Sequence, residues 1–514
     1  MKKTFFSIFG IGAYLLIPLS VSAQKKDKKT AVKPNVIIIL ADDIGYGDLS
    51  CNGEPTVQTP HVEKLAAQGI RFTDAHAVAA TSTPSRYSLL TGEYAWRRND
   101  TGIATGDAGM IIKPEQTTIA DIFKNAGYAT GAIGKWHLGL GDKAGQQDWN
   151  GYITPGLKDI GFDYSYIMAA TGDRVPCVFV ENQRIVNLDP NDPIEVSYEK
   201  PFPGEPLGKD NPDMLYVQKP STSHGHDQAI VNGISRIGYM KGGKSALWVD
   251  ETIADSITSH AIEFIESNKD QPFFLYFATN DIHVPRVPHP RFTGKSGMGP
   301  RGDAILEFDW SVGQIMETLE KLGLTENTLI ILTSDNGPVV DDGYADRAVE
   351  LLGDHRPWGP FRGGKYSIFE AGTRVPFVVS WAGKTKEGVS DAPVSQIDLF
   401  ASLTGLINGE IPANAAPDSQ NQLSTLLGKD KKGRKYIVEQ AGSLSISDGT
   451  WKYIAPGNGA AYDKLTNTEL GNNKEPQLYN LKQDMGEKKN LAGENPKKVA
   501  ELKAILEAEK AKTK

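Results

Sequence analysis

Five short apolar runs punctuate the first four hundred residues: NVIIILA (35–41), YATGAIG (128–134), PFFLYFAT (272–279), TLIILTS (328–334) and VPFVVSWA (375–382). Each is continuous rather than alternating and rich in β-branched or aromatic residues, which suits strands buried on both faces of a mostly parallel sheet. Between them the apolar spacing lengthens to that of a helix, at 61–69, at 117–127, through Ile253, Ile257, Ile262 and Ile265, and at 305–323. Strands alternating with helices predict an α/β fold with a large, mostly parallel central sheet flanked by helices. Past residue 400 the pattern changes. The stretches 435–440, 443–456 and 476–484 read as short antiparallel strands, and 495–511 as a charged helix. The expected organisation is a main domain over 34–400 and a smaller C-terminal α+β subdomain with an antiparallel sheet over 401–514. Gly- and Pro-rich stretches at 141–160, 200–245 and 285–302 interrupt the alternation and read as walls or lids of a site.

The N-terminus follows another logic. Lys2 and Lys3 precede an apolar run from Phe5 to Val21, and Val21-Ser22-Ala23 offers small residues for cleavage. This reads as a signal peptide over 1–23 with a polar linker over 24–33, hence an exported protein, periplasmic or at the cell surface of a bacterium. An uncleaved anchor is the alternative. No later apolar run has membrane length, so no stable membrane span is expected. Against 55 Lys and Arg stand 63 Asp and Glu, a formal charge of −8. That balance excludes bulk nucleic-acid binding and requires any anionic ligand to be held by a local cluster. Cys51 and Cys177, the only cysteines, either pair or remain free thiols; neither lies in a metal-type cluster.

In an open α/β sheet ligands gather beyond the carboxyl ends of the strands. The first run ends in Asp42-Asp43 and the fourth in Ser334-Asp335-Asn336-Gly337, a hard-oxygen set suited to Ca²⁺ or Mg²⁺ unless these residues only make turns. Lys135 and His137 follow the second run, His283 follows the third, and Lys365 lies in a Gly-rich loop before the fifth. With Arg86 they compose a pocket for a tetrahedral oxyanion. In TSTPSRYSLLTG (81–92), Pro84 disfavours helical geometry at the residue before it, so a helix is expected to begin near Pro84 with Ser82 beside its N-terminus. Ser82 or Thr83 as a plain N-cap is the alternative.

Ser82-x-Pro84-x-Arg86 followed by Leu90-Thr91-Gly92 resembles the signature of the type I, formylglycine-dependent sulfatases of the alkaline phosphatase superfamily, and the resemblance covers nearly the whole chain after residue 34. It implies that Asp42, Asp43, Asp335 and Asn336 hold one Ca²⁺ and that Ser82 is oxidised to formylglycine, whose hydrate attacks sulfur. It further implies that Lys135 and Lys365 neutralise sulfate oxygens, that His283 protonates the leaving oxygen, that His137 assists the hydrate and that Arg86 orients residue 82. Many members carry Cys at the nucleophile position. Ser82 here implies an anaerobic radical maturase as a transient partner. The loops 168–185 and 221–243 resemble the sugar-reading region of carbohydrate sulfatases of the N-acetylgalactosamine-6-sulfatase type, which nominates Asp173, Arg174 and His226, beside His224 and Asp227, as sugar ligands. An internal Asp173–Arg174 salt bridge is the competing reading. The implied activity is exo-acting removal of 6-O-sulfate from galactose or N-acetylgalactosamine in a sulfated oligosaccharide, with the basic loop 284–301 closing over a terminal sugar. The alternatives are a phosphatase or phosphonate monoester hydrolase of the same superfamily and an inactive glycan-binding protein.

Overall fold

The computed structural model describes residues 1–8, 10, 33–53, 56–216 and 225–512. The chain divides into two units, Met1–Val32 and Lys33–Lys514, and the fold resides in the second. The expected leader and linker fall largely outside the described residues. Among the described residues no helix is long and apolar enough to cross a membrane.

The apolar runs are strands β1 Asn35–Ala41, β3 Ala129–Lys135, β7 Phe273–Ala278, β8 Thr328–Ser334 and β9 Phe377–Ser380. With β2 Ile70–Phe72, β4 Tyr164–Met168, β5 Phe179–Glu181, β6 Arg184–Ile185 and β10 Gly388–Ser390 they form one ten-stranded sheet, in the order β10-β2-β9-β8-β1-β7-β3-β4-β5-β6. The five central strands β8-β1-β7-β3-β4 are parallel. Val36 to Leu40 are fully buried, because helices cover both faces; that is why the run is continuous rather than alternating. The sheet is mixed at its flanks. β9 runs antiparallel to β8 and to β2, since an apolar run records burial and not direction.

The helices include α1 Pro60–Ala67, α2 Ser82–Thr91, α3 Ile119–Asn125, α4 Ile253–Ser267 and α5 Gly299–Lys321. Two starts differ from the sequence reading. Helix α5 begins at Gly299, not at 305, because its first turn, Gly-Pro-Arg-Gly, has loop composition and yet Pro300 is tolerated where no intrahelical N–H bond is required. For the same reason α2 begins at Ser82 rather than near Pro84. Ser82 is its first helical residue, after Thr81 in extended conformation, and Pro84 falls within the first turn. Helix α2 is buried along all ten residues and ends at Gly92 in left-handed conformation (φ 65°).

At the C-terminus β11 Ile437–Ala441, β12 Ser443–Ser447, β13 Trp451–Ile454 and β14 Gln477–Asn480 make an antiparallel four-stranded sheet. Helix α6 Leu399–Leu406 precedes it, and the closing helix α7 Pro496–Ala511 buries Leu502 and Leu506 with Ile446 and Tyr453. Both cysteines are free thiols.

Candidate active site

The candidate residues converge at the carboxyl ends of the parallel strands. Asp42 and Asp43 follow β1, Asp335 and Asn336 follow β8, Lys135 closes β3, and His283 lies five residues past β7. All are buried. Lys135 Nζ stands 2.7 Å from both Asp42 carboxylate oxygens and 2.9 Å from Ser82 Oγ. Lys365 Nζ is 2.8 Å from Asp43 Oδ2 and 3.4 Å from Asp342 Oδ2. Ser82 Oγ donates to Asn336 Oδ1 at 3.4 Å, while Asn336 Nδ2 donates to Asp43 Oδ1 at 2.8 Å.

Arg86, one turn beyond Ser82 on α2, shares its helix face. Its Nε and Nη2 donate to Asp335 Oδ2 at 2.9 and 2.8 Å, and its Nη1 donates to the Lys135 carbonyl at 2.9 Å. Arg86 therefore ties two strand ends, those of β3 and β8, to the helix that carries Ser82. The first N–H groups of α2 have no intrahelical acceptor, so the residue at its start sits in a field that favours negative charge.

Burial dominates the protonation equilibria. It raises the Asp42 carboxyl to about 8, with Asp335 and Asp43 adding repulsion and Lys135 opposing. Desolvation acts on Asp43 too, but Lys365, His283 and Lys135 together hold its carboxyl well below the usual range. His283 is lowered to about 4 by burial and by Lys365. Its Nδ1 faces the Val284 carbonyl at 2.7 Å, which leaves Nε2, 3.8 Å from Asp43 Oδ2, on the pocket side. His137 is pushed well below its ordinary value, first by burial and then by Lys135. Its Nε2 lies 2.9 Å from the Ala104 carbonyl, and its buried Nδ1 has no hydrogen-bond partner among the described residues, so the neutral ring offers a lone pair there.

A cavity of about 170 Å³ opens over Ser82. His137, Asp173, Arg174, His226, His283 and Lys365 all line it. Asp173 pairs with Arg174 at 2.9 Å and with His226 Nε2 at 2.8 Å, so the internal salt bridge and the position on the cavity wall are both realised. His224 lies outside the described residues. Asp342 and Tyr366 also line the cavity but were not singled out from the sequence. The Asp341-Asp342 doublet shortly after β8 is a signal for the first; residue type and spacing hold none for the second.

The basic loop does not cover the cavity. Arg286 donates to Asp346 at 2.7 Å, Arg291 to Asp255 at 2.8 Å, and Arg301, inside α5, to Asp48 at 2.7 Å. The buried guanidinium groups of Arg286 and Arg301 require such partners, and the three pairs fix the arginines to the frame rather than over a ligand. A larger cavity of about 620 Å³, with Trp358 and Phe361 in its wall, shares no lining residue with the first.

Asp42, Asp43 and His283 bring ligand atoms within 4.8 Å of one another, a buried cluster able to hold a metal ion. Asp335 and Asn336 add oxygens at the same strand ends, and this donor set fits a hard divalent cation.

A family profile described as Sulfatase matches residues 34–409. Over 503 residues the chain is 55% identical to an N-acetylgalactosamine-6-O-sulfatase of Bacteroides thetaiotaomicron, covering 98% of each. It is 30% identical over 495 residues to human arylsulfatase A, covering 92% of this chain and 87% of that one. A solved 6S-sulfatase structure from work on glycosaminoglycan metabolism by Bacteroides thetaiotaomicron has a TM-score of 0.92 at 57% identity and covers 93% of this chain and all of its own.

Proposed function

The chain belongs to the sulfatase family and is a sulfuric ester hydrolase, and on that premise we propose that it removes 6-O-sulfate from terminal galactose or N-acetylgalactosamine of sulfated glycans such as glycosaminoglycans. The relative at 55% identity is named an N-acetylgalactosamine-6-O-sulfatase. The observation that carries the reading is the balance of charge around the cavity. With Asp42 ionised as a metal ligand, Asp42, Asp43, Asp173, Asp335 and Asp342 face Arg86, Lys135, Arg174 and Lys365, five carboxylates against four cations. A divalent ion on Asp42, Asp43, Asp335 and Asn336 turns that surplus into one positive charge. A sulfate monoester, singly negative, completes it, whereas a phosphate monoester carries nearly two charges near neutral pH. This favours the sulfatase reading over a phosphatase or phosphonate monoester hydrolase.

Ca²⁺ bound there supplies a Lewis acid that polarises a sulfate oxygen. Formylglycine, formed from Ser82 by an anaerobic maturase, supplies the nucleophilic oxygen. The chain's own groups do the rest. Lys135 and Lys365 face the sulfate oxygens, Arg86 fixes Asp335 and the first turn of α2, His137 accepts a proton at Nδ1, and His283 presents Nε2 to the leaving sugar oxygen. Burial and Lys365 hold the His283 ring neutral, and an incoming anion next to Lys365 favours its protonation. Asp173, Arg174 and His226 read the sugar hydroxyls. A 170 Å³ cavity is smaller than the ~300–1,000 Å³ that holds drug-sized ligands and suits one sugar, hence exo action on chain ends. Such a protein acts outside the cytoplasm, in the periplasm or at the cell surface.

Protein co-expressed with an anaerobic sulfatase maturase should carry formylglycine at position 82 by peptide mass spectrometry. It should release sulfate from N-acetylgalactosamine 6-sulfate faster than from the 4-sulfate. Equal rates on the two would remove the positional assignment, and full activity with plain Ser82 would remove the mechanism.

A further inference from the structure

Three cavity-side residues share a backbone signature. Among the described residues, seven that are neither Gly nor Asn have positive φ, and three of these are Asp43 (60°), His137 (60°) and Tyr366 (73°). For an aromatic residue this conformation is a true outlier, and such outliers collect where function holds them. Asp43 and His137 have roles in the proposed reaction. Tyr366 has none.

Its backbone explains how it is held. The Lys365 N–H donates to the Pro338 carbonyl at 2.8 Å, in the segment that follows Asn336, and the Tyr366 N–H donates to the Ala80 carbonyl at 2.8 Å, two residues before Ser82. Two successive amides are thus pinned to the two segments that build the site, and the chain turns left-handed between them. A glycine would make this turn without strain. The ring serves no core, because Tyr366 is only half-buried and lines the cavity. Lys365 Nζ stands 5.3 Å from the ring centroid, so the sulfate-facing ammonium and the ring lie side by side. Burial and Asp342 push the phenol up, which keeps it neutral. Around it Asp173, Arg174, His226 and Asp342 offer hydrogen bonds and Ile103 and Ile237 offer aliphatic surface, while Tyr366 supplies a phenol ring face.

We propose that Tyr366 is a substrate-binding residue whose ring packs against the C–H face of the sugar carrying the ester and sets that ring's orientation relative to Lys365. A galacto-configured sugar, whose axial O4 leaves its opposite face continuously apolar, is the class that such a wall selects. The inference rests on the carbohydrate-sulfatase reading.

The test is equilibrium binding, by calorimetry or saturation-transfer NMR, of galacto- and gluco-configured monosaccharide 6-sulfates to calcium-loaded protein bearing unmodified Ser82, where no turnover intervenes. Wild type should bind a galacto sugar most tightly. Tyr366→Ala should weaken its best ligand by about tenfold, and Tyr366→Phe should restore most of the affinity. Tyr366→Gly should bind as weakly as the alanine variant yet melt about 1–2 °C higher than it, since glycine accepts the turn. On matured protein the loss in the alanine variant should fall mainly on KM. Unchanged affinity in Tyr366→Ala, or no sugar bound by wild type, overturns the proposal. Tightest binding of a gluco sugar, with the same loss in the alanine variant, overturns only the galacto assignment and leaves the wall in place.

Discussion

Arg86 and Lys365 show how single side chains set the site. The guanidinium satisfies Asp335 twice and the Lys135 carbonyl once from one planar group, a geometry that an ammonium does not reproduce. Arg86→Lys should therefore cost about 2–5 kcal/mol of stability in denaturant unfolding and weaken calcium binding, because the buried Asp335 loses its partner. Lys365→Ala should lower kcat/KM by about 10²–10³-fold while the fold persists by circular dichroism, as it removes the ammonium that the proposed mechanism sets against sulfate. The residue types of this site were legible in the sequence: carboxylates, an amide, two lysines and two histidines, each just past an apolar run or in the loop before one. Asp342 and Tyr366 were not, because their membership depends on the path of the loop that follows β8 and on a left-handed turn, neither of which residue type records.

Between the two sheets lies a buried charge cluster that no spacing in the sequence announces. Lys452 on β13 is 2.9 Å from Glu370 Oε1, 3.1 Å from Glu439 Oε2 on β11 and 3.7 Å from Glu487 Oε1. His76 bridges Asp74 at 2.8 Å and Glu439 at 2.7 Å, and Arg374 pairs with Glu370 at 2.7 Å. Glu370 opens the single helical turn Glu370–Thr373, five residues beyond Lys365. The cluster thus ties the lysine loop to the C-terminal sheet. Lys452→Met should destabilise by about 3–5 kcal/mol in denaturant unfolding, since three buried carboxylates lose their shared cation. Desolvation opposes charge on His76, but Glu439, Asp74 and Glu370 outweigh it and raise the ring to about 9. A folded pKa above the unfolded value stabilises fully below about 6.5, and the contribution is lost as pH rises through 9. Against His76→Gln, the melting-temperature advantage of wild type should be constant near pH 6 and shrink between about pH 7 and 9.5. The strands themselves were legible because burial on both faces writes a continuous apolar run. The first turns of α2 and α5 and the direction of β9 were not, because proline and glycine in a first helical turn look like loop and burial has no polarity.

At the scale of the whole molecule, the metal and the fold are linked. The proposed Ca²⁺ site is drawn from two strand ends that unfolding separates, so on that proposal calcium at 100 times its Kd should stabilise by about 2.7 kcal/mol and raise the melting temperature, and a chelator should reverse the shift. No rise on adding calcium would detach the carboxylate cluster from metal binding. The spread of the site along the chain has a consequence in time. Ser82 is only 4% exposed in the folded protein, and the groups that enclose or brace its surroundings reach as far as Glu487. A ribosome working at about 5–20 residues per second needs roughly 20–80 s to add the intervening stretch. Throughout that interval the serine belongs to a nascent chain whose pocket does not yet exist, and its side chain is open to chemistry that the finished enzyme excludes.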